Sequence, residues 1–144
     1  VSTALRIDGY NIGKSFPEGI LKEAEYNKIE ATYLEAIKLF SEENNLLSFG
    51  LNSIEPAGFY KIGRLRLLEK TDCSLEDALL LAQSILRQVF WAKLHTGSDF
   101  EIHFGYDYCM FFIAKSSQTS LINKINSLGI YCEIIASPYK QLST

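Results

Sequence analysis

Several residue types are scarce in this chain, and each scarcity closes a route to function. The 144 residues hold three cysteines, Cys73, Cys109 and Cys132. An odd count at wide spacing argues against a disulfide framework and for a reducing compartment, so a cytoplasmic protein is expected. His95 and His103 are the only histidines, and neither a Cys-x-x-Cys nor a His-Glu-x-x-His spacing occurs. No metal site is therefore expected. Gly-x-Gly-x-x-Gly and Gly-x-x-x-x-Gly-Lys-Ser/Thr are also missing. Gly58 and Gly63 have the spacing of a phosphate loop, but Arg64 follows where Lys-Ser is needed. No cofactor is expected. No stretch approaches the ~18 uncharged apolar residues of a membrane span; the longest apolar-rich segment, 109–114, is of strand length. A charged start followed by an apolar run and a small-residue cleavage site is not visible, so no signal peptide is expected.

What is present suits one globular domain. The composition is 47% hydrophobic and 22% charged, close to the globular average, and residues 1–144 are expected to share a single core. The net charge of −3 conceals an asymmetry. Residues 1–58 carry nine acids against five bases, while the remainder carries eight acids against nine bases. This is not the basic footprint of a nucleic-acid binder. An acidic front half attracts a basic partner instead.

Helical signals open with Ser15-Phe16-Pro17-Glu18, a capping box with proline in the first turn. Leu21, Ala24, Ile29, Tyr33, Ile37 and Phe40 then share one face of a helix expected over 18–44, stopped by Asn44-Asn45. A short strand is expected over 46–49, and a loop from Ser53 to Gly58. The segment 59–67 reads as a strand with an irregularity near Gly63. Ser74 and Asp77 form a second capping signature. It opens an apolar helix that the spacing carries through about residue 94, with Gly97 closing it. Phe100, Ile102 and Phe104 alternate with Glu101 and His103 as a half-buried strand. A strand over 108–114, a helix capped by Ser116 and stopped at Gly129, and a last strand over 130–136 follow.

The expected class is α+β, an antiparallel sheet with helices on one face. Strand, helix, strand, strand, helix, strand over 59–136 is a ferredoxin-like βαββαβ order, with the 59–139 core preceded by the long N-terminal helix. The alternative places Gly105 inside one long bent strand and yields a different α+β sheet.

Chemistry is sparse. His103, Asp107 and Cys109 lie close in sequence, but on a strand His103 falls on the polar face with Glu101 and reads as an exposed strand histidine. Cys73 precedes a helix whose dipole could lower its pKa, yet no neighbouring base is recognisable. Cys109 and Cys132 read as buried small hydrophobes. Glu76 and Asp77 compensate a helix dipole. No catalytic constellation emerges, and a binding protein is expected rather than an enzyme. Two features are less bland. Phe104 to Tyr108, next to Glu101 and His103, gathers two tyrosines and an acid around a turn, and aromatics are enriched at interface cores. Lys61, Arg64, Arg66 and Lys70 make a basic strip, suited to an anion or to the acidic first helix. Any homodimer would form through sheet edges or faces, since no coiled-coil heptads occur.

The segment Phe100-Glu-Ile-His-Phe-Gly-Tyr-Asp-Tyr-Cys-Met-Phe-Phe-Ile113, with Gly129-Ile-Tyr-Cys-Glu133 and Ser137-Pro-Tyr139, resembles small bacterial immunity proteins of toxin–immunity pairs. Ile62-Gly-Arg-Leu-Arg-Leu-Leu-Glu69 and Leu75-Glu-Asp-Ala-Leu79 extend the likeness, which is nearest to contact-dependent growth inhibition systems. The resemblance implies a cytoplasmic inhibitor that binds the C-terminal toxin domain of a cognate effector, often a nuclease and therefore basic. The candidate contact residues are Glu101, Tyr106, Asp107 and Tyr108, with the acidic helix residues around Glu23 and Glu30 as a rival surface. The alternative function is a ligand-sensing ferredoxin-like regulatory domain that binds an anionic metabolite at Lys61, Arg64 and Arg66.

Overall fold

The computed structural model describes residues 3–8, 23–55, 60–62, 65–67, 72–105, 109–116 and 118–136. In chain order the elements are β1 (Thr3–Asp8), α1 (Glu23–Glu43), β2 (Ser48–Glu55), β3 (Tyr60–Ile62), β4 (Leu65–Leu67), β5 (Cys73–Ser74) and α2 (Leu75–Leu86). Then follow β6 (Trp91–Thr96), β7 (Phe100–Phe104), β8 (Cys109–Ala114), α3 (Thr119–Asn126) and β9 (Tyr131–Ala136). Seven strands form one antiparallel sheet in the order β5-β2-β6-β7-β8-β1-β9. The class is α+β, as the residue pattern implies.

The ferredoxin-like order over 59–136 is not the arrangement found. Residues 60–62 and 65–67 form a separate two-stranded sheet; among the described residues β3 and β4 pair only with each other. The second helix ends at Leu86, and residues 91–94, expected as its last turn, belong to the strand β6. The sheet also contains β1, whose short Leu5/Ile7 alternation was not read as a strand, lying between β8 and β9. β8, α3 and β9 therefore make a split β-α-β crossover, with β1 filling the gap.

Helix ends explain the main error. Val89 N–H donates to Ser84 C=O at 3.0 Å and Gln88 N–H to Ile85 C=O at 3.0 Å, with Gln88 at φ 61°. This is a Schellman stop built on glutamine instead of glycine, so no sequence signal marked it. The same motif ends α1: Leu46 N–H reaches Ser41 C=O at 2.8 Å, Asn45 N–H reaches Glu42 C=O at 3.4 Å, and Asn45 has φ 56°. Asparagine tolerates that conformation, and this end is where the residues predict it. Gly97 (φ 59°) belongs to the β6–β7 turn and closes no helix, whereas Gly129 (φ 89°) follows α3 as expected. Ser74 caps α2, accepting from Asp77 N–H at 3.2 Å. Ser116 does not cap α3; Gln118 holds the N-cap position and exchanges amide hydrogen bonds with Asn44 at 2.8 and 3.1 Å. The 15–18 capping box lies outside the described residues.

Alternate residues of the strands build one core with the helices: Leu5 and Ile7, Phe49 and Leu51, Ala92 and Leu94, Ile102 and Phe104, Met110 and Phe112. From α1, Phe40 stacks on Phe112 with centroids 4.5 Å apart and meets Phe100 edge-on at 6.0 Å. These pairs fix the helix over the middle of the sheet. Between α1 and α2 lies a buried carboxylate. Glu30 accepts from Gln83 Nε2 at 2.8 Å and from Arg87 Nε and Nη2 at 2.8 and 2.9 Å. Burial raises its pKa, but these hydrogen bonds and the Arg87 charge win, leaving it below the usual carboxylate value.

Because the Arg87 side chain is 55% exposed, solvent screens part of this bond. Glu30→Ala is expected to cost about 1–2 kcal/mol, read as a lowered denaturant midpoint, with Arg87→Ala costing no more.

Candidate functional site

The second face of the sheet carries the polar chemistry. Its alternation places Gly50 and Asn52 on β2, Trp91, Lys93 and His95 on β6, and Glu101 and His103 on β7. Registration brings His95 directly opposite Glu101 and opposite Gly50 on its other side. Three ionisable side chains from two strands thus meet around one carboxylate.

Glu101 Oε2 lies 2.9 Å from His103 Nε2. An ionised carboxylate only accepts, so His103 donates from Nε2. That bond holds Glu101 below the usual carboxylate range against the opposing effect of burial, with the His103, Lys93 and His95 charges adding to it. The Glu101 side chain keeps 23% of its exposure and that of His103 only 2%. His103 is therefore not the exposed strand histidine that the polar alternation implied. Its neighbours across the β7–β8 pairing, Phe111 opposite it and Ile113 opposite Glu101, are also buried. A hydrogen bond enclosed in this way fixes the direction of its carboxylate.

His95 is held differently. Its Nδ1 lies 3.3 Å from Gly97 C=O, and a carbonyl accepts only, so Nδ1 carries the proton. Nε2 is buried and has no hydrogen-bond partner among the described residues. The ring lies over Gly50, where an added Cβ would stand 2.6 Å from Nε2 and 2.8 Å from Cε1. Gly50 is required here by space.

The expected contact residues divide. Glu101 is in this cluster, while Tyr106, Asp107 and Tyr108 lie outside the described residues, in the connection from β7 to β8. On the rival surface, Glu30 is buried against α2, and Glu35 and Glu43 pair with Lys38 at 3.1 Å and Lys124 at 2.9 Å. Glu30 and Glu43 thus bind other helices, while Glu35 pairs along its own helix; the side chains of Glu23 and of the basic strip are outside the description. The thiols of Cys73 and Cys132 are not activated. Burial first, then Asp77 and Asp72, pushes Cys73 up to about 11, so the helix dipole does not govern it. Burial, then Glu133, pushes Cys132 up to about 12. Among the described residues no group of three or more His, Cys, Asp or Glu is placed to hold a metal ion, and no helix is long and apolar enough to cross a membrane.

Sequence reasoning missed Lys93, His95, Gly50 and Trp91 as parts of this face. The signal was there: Trp91-x-Lys93-x-His95 has strand alternation, masked by the apolar helical run before it. Comparison with models of known protein families, with curated proteins and with solved structures returns no match.

Gly50→Ala is expected to destabilise the fold by about 1–3 kcal/mol through the forced shift of His95, and His95→Ala in the same chain should restore most of that loss. Additive losses in a double-mutant cycle would exclude this packing. A carboxyl depressed by folding contributes stability above its unfolded pKa of about 4.3, and loses it as the pH falls through the lower folded value. Denaturant midpoints should therefore decline below about pH 4.3, less steeply in Glu101→Gln than in the parent.

Proposed function

We propose that the protein is an immunity protein, binding and neutralising the toxic C-terminal domain of a cognate bacterial effector in the cytoplasm. The observation that carries this reading is the Glu101 carboxylate, ionised, partly exposed and fixed by His103. It stands on the strand that precedes Tyr106, Asp107 and Tyr108 in the chain, the two aromatics and second acid that complete the proposed contact set. A nuclease toxin needs a basic groove for its substrate. Acidic groups speed capture of such a surface, and tyrosines supply the area that slows release. The pairing of Glu30 with Arg87 at the end of α2 and of Glu43 with Lys124 on α3 favours this patch over the first helix.

The test is recovery of tagged protein from its native bacterium, followed by co-expression with whatever effector fragment co-purifies at stoichiometric level. Growth restored to cells expressing that fragment supports the reading. Recovery of no effector, under conditions that retain tight complexes, would sink it. With the toxin domain in hand, Asp107→Lys is expected to weaken binding about tenfold or more, chiefly through slower association. Unchanged affinity would remove this patch from the interface.

A second reading, a regulatory domain sensing an anionic metabolite, has one observation in its favour. The β3–β4 register pairs Lys61 with Arg66, two cationic residue types at one register position, a pairing suited to an anionic ligand. A rise in melting temperature with citrate or inorganic phosphate would favour it.

A further inference from the structure

The large sheet ends in two unlike edges. At one end β5 covers only Ser48 and Phe49 of β2. The rest of β2 is bent by a register shift between Asn52 and Glu55, with Ser53 at φ 57° and Glu55 exposed. A bulge and an acid are features that spoil a sheet edge for pairing. At the other end β9 keeps an unbroken register with β1, from Tyr131 opposite Asp8 to Ala136 opposite Thr3. Among the described residues no strand lies on its outer side.

One side chain does touch that outer edge. Asn126, the last residue of α3, accepts from the Cys132 N–H at 2.9 Å, and its Nδ2 donates to the Cys132 carbonyl at 3.3 Å. The amide stands where a further strand would. It also shows which way the backbone faces, since both polar groups of Cys132 point away from β1. That direction alternates along an antiparallel strand with a period of two, so the N–H and C=O of Ile134 and Ala136 point outward too. Among the described residues none takes them up. Beside them the Ile134 side chain is 43% exposed, although Leu5 opposite it is buried in the core. An open strand edge with an apolar residue at its rim is a template for another strand.

This edge is selective about register when it meets its own copy. A two-fold pairing centred on Glu133 sets like charges directly opposite, which is unfavourable. A centre at Ile134 places Ala136 of one copy against Cys132 of the other, where the Asn126 amide already stands. A centre at Ala136 carries Ile134 past the end of the opposing β9. A centre at Ile135 avoids all three. Ile134 of each copy then meets Ala136 of the other, each pair exchanging two hydrogen bonds, and Cys132 keeps Asn126.

We propose that β9 is a homodimer edge: two copies join antiparallel with Ile134 opposite Ala136 about a two-fold at Ile135, and the Asn126 amide is the stop that sets this register. The pairing is independent of the immunity reading.

The test uses the full chain, by sedimentation over a range of concentrations and by cross-linking. The parent is expected to show a monomer–dimer equilibrium. Ile134→Lys, a change at an exposed position, should raise the dimer dissociation constant about tenfold or more and keep cooperative melting. Ile135→Cys should form a disulfide between copies under mild oxidation, because facing residues of a non-hydrogen-bonded pair lie within disulfide reach. Glu133→Cys, which does not meet its counterpart, should not; the parent with its native cysteines is the blank. Adding Asn126→Ala should lower the Ile135→Cys yield, because the freed Cys132 groups admit the register centred on Ile134. A parent that stays monomeric up to its solubility limit, or a dimer that Ile134→Lys leaves unchanged, overturns the pairing. These two sedimentation results judge it even where Ile135→Cys does not fold. A disulfide from Glu133→Cys in place of Ile135→Cys overturns the register, and a yield untouched by Asn126→Ala overturns the role of that amide.

Discussion

The pairing of β1 on both of its sides is the constraint on which the rest of the sheet depends. A β-α-β crossover leaves its two parallel strands one strand-width apart when it is split, and β8 and β9 are left in that way by α3. β1 fills the space, antiparallel to both, with Leu5 opposite Phe112 and Ile134 and Ile7 opposite Met110 and Cys132. The contact is apolar toward the helices, since Leu5, Ile7, Met110 and Phe112 all lie in the shared core. Tyr33 of α1 closes it from above, donating to the Ile7 carbonyl at 3.5 Å. Without β1, both β8 and β9 would present unpaired backbone inside the sheet, a cost that packing of α3 cannot offset.

Above this sheet, polar pairs rather than apolar contacts set the angles between helices. Glu30 with Arg87 and Gln83 joins α1 to α2; Asn44 with Gln118, and Glu43 with Ser120 and Lys124, join α1 to α3. Apolar burial is non-directional and leaves a helix free to slide by a turn. A reciprocal amide pair or a forked guanidinium does not. Glu30 and Glu43 therefore work between helices, whereas Glu101 lies on the opposite face of the sheet and among the described residues is hydrogen-bonded only by its own strand neighbour His103.

Much of this was legible in the residues, for physical reasons that can be named. α1 and its stop at Asn45, the Ser74 cap of α2, the alternation of β7 and the Gly129 stop all rest on local rules that tertiary packing did not overturn. The failures share a cause. Gln88 adopts a left-handed conformation that glutamine rarely signals, so the apolar run from Leu75 through Phe90 read as unbroken helix and hid β6. With β6 hidden, Trp91, Lys93 and His95 could not be seen to share a face with Glu101 and His103. β1 failed otherwise: six residues with two apolar positions carry too little pattern, and their role comes from partners far along the chain. On that face, alternation put Glu101 and His103 side by side but could not reveal that His103 is enclosed.

Consider how β1 acquires those partners. It is made before β8 and β9, and most of the intervening chain must be synthesised before either can meet it. Contacts of such wide sequence separation slow folding, because a large loop must close before any bond rewards it. The helices and the β6–β7–β8 meander are local and can form early, leaving an open slot between β8 and β9. Insertion of β1 into that slot is then the late, rate-setting event, and until it occurs two strand edges stay available to other chains. The strand that completes the sheet is also the one whose delay exposes it.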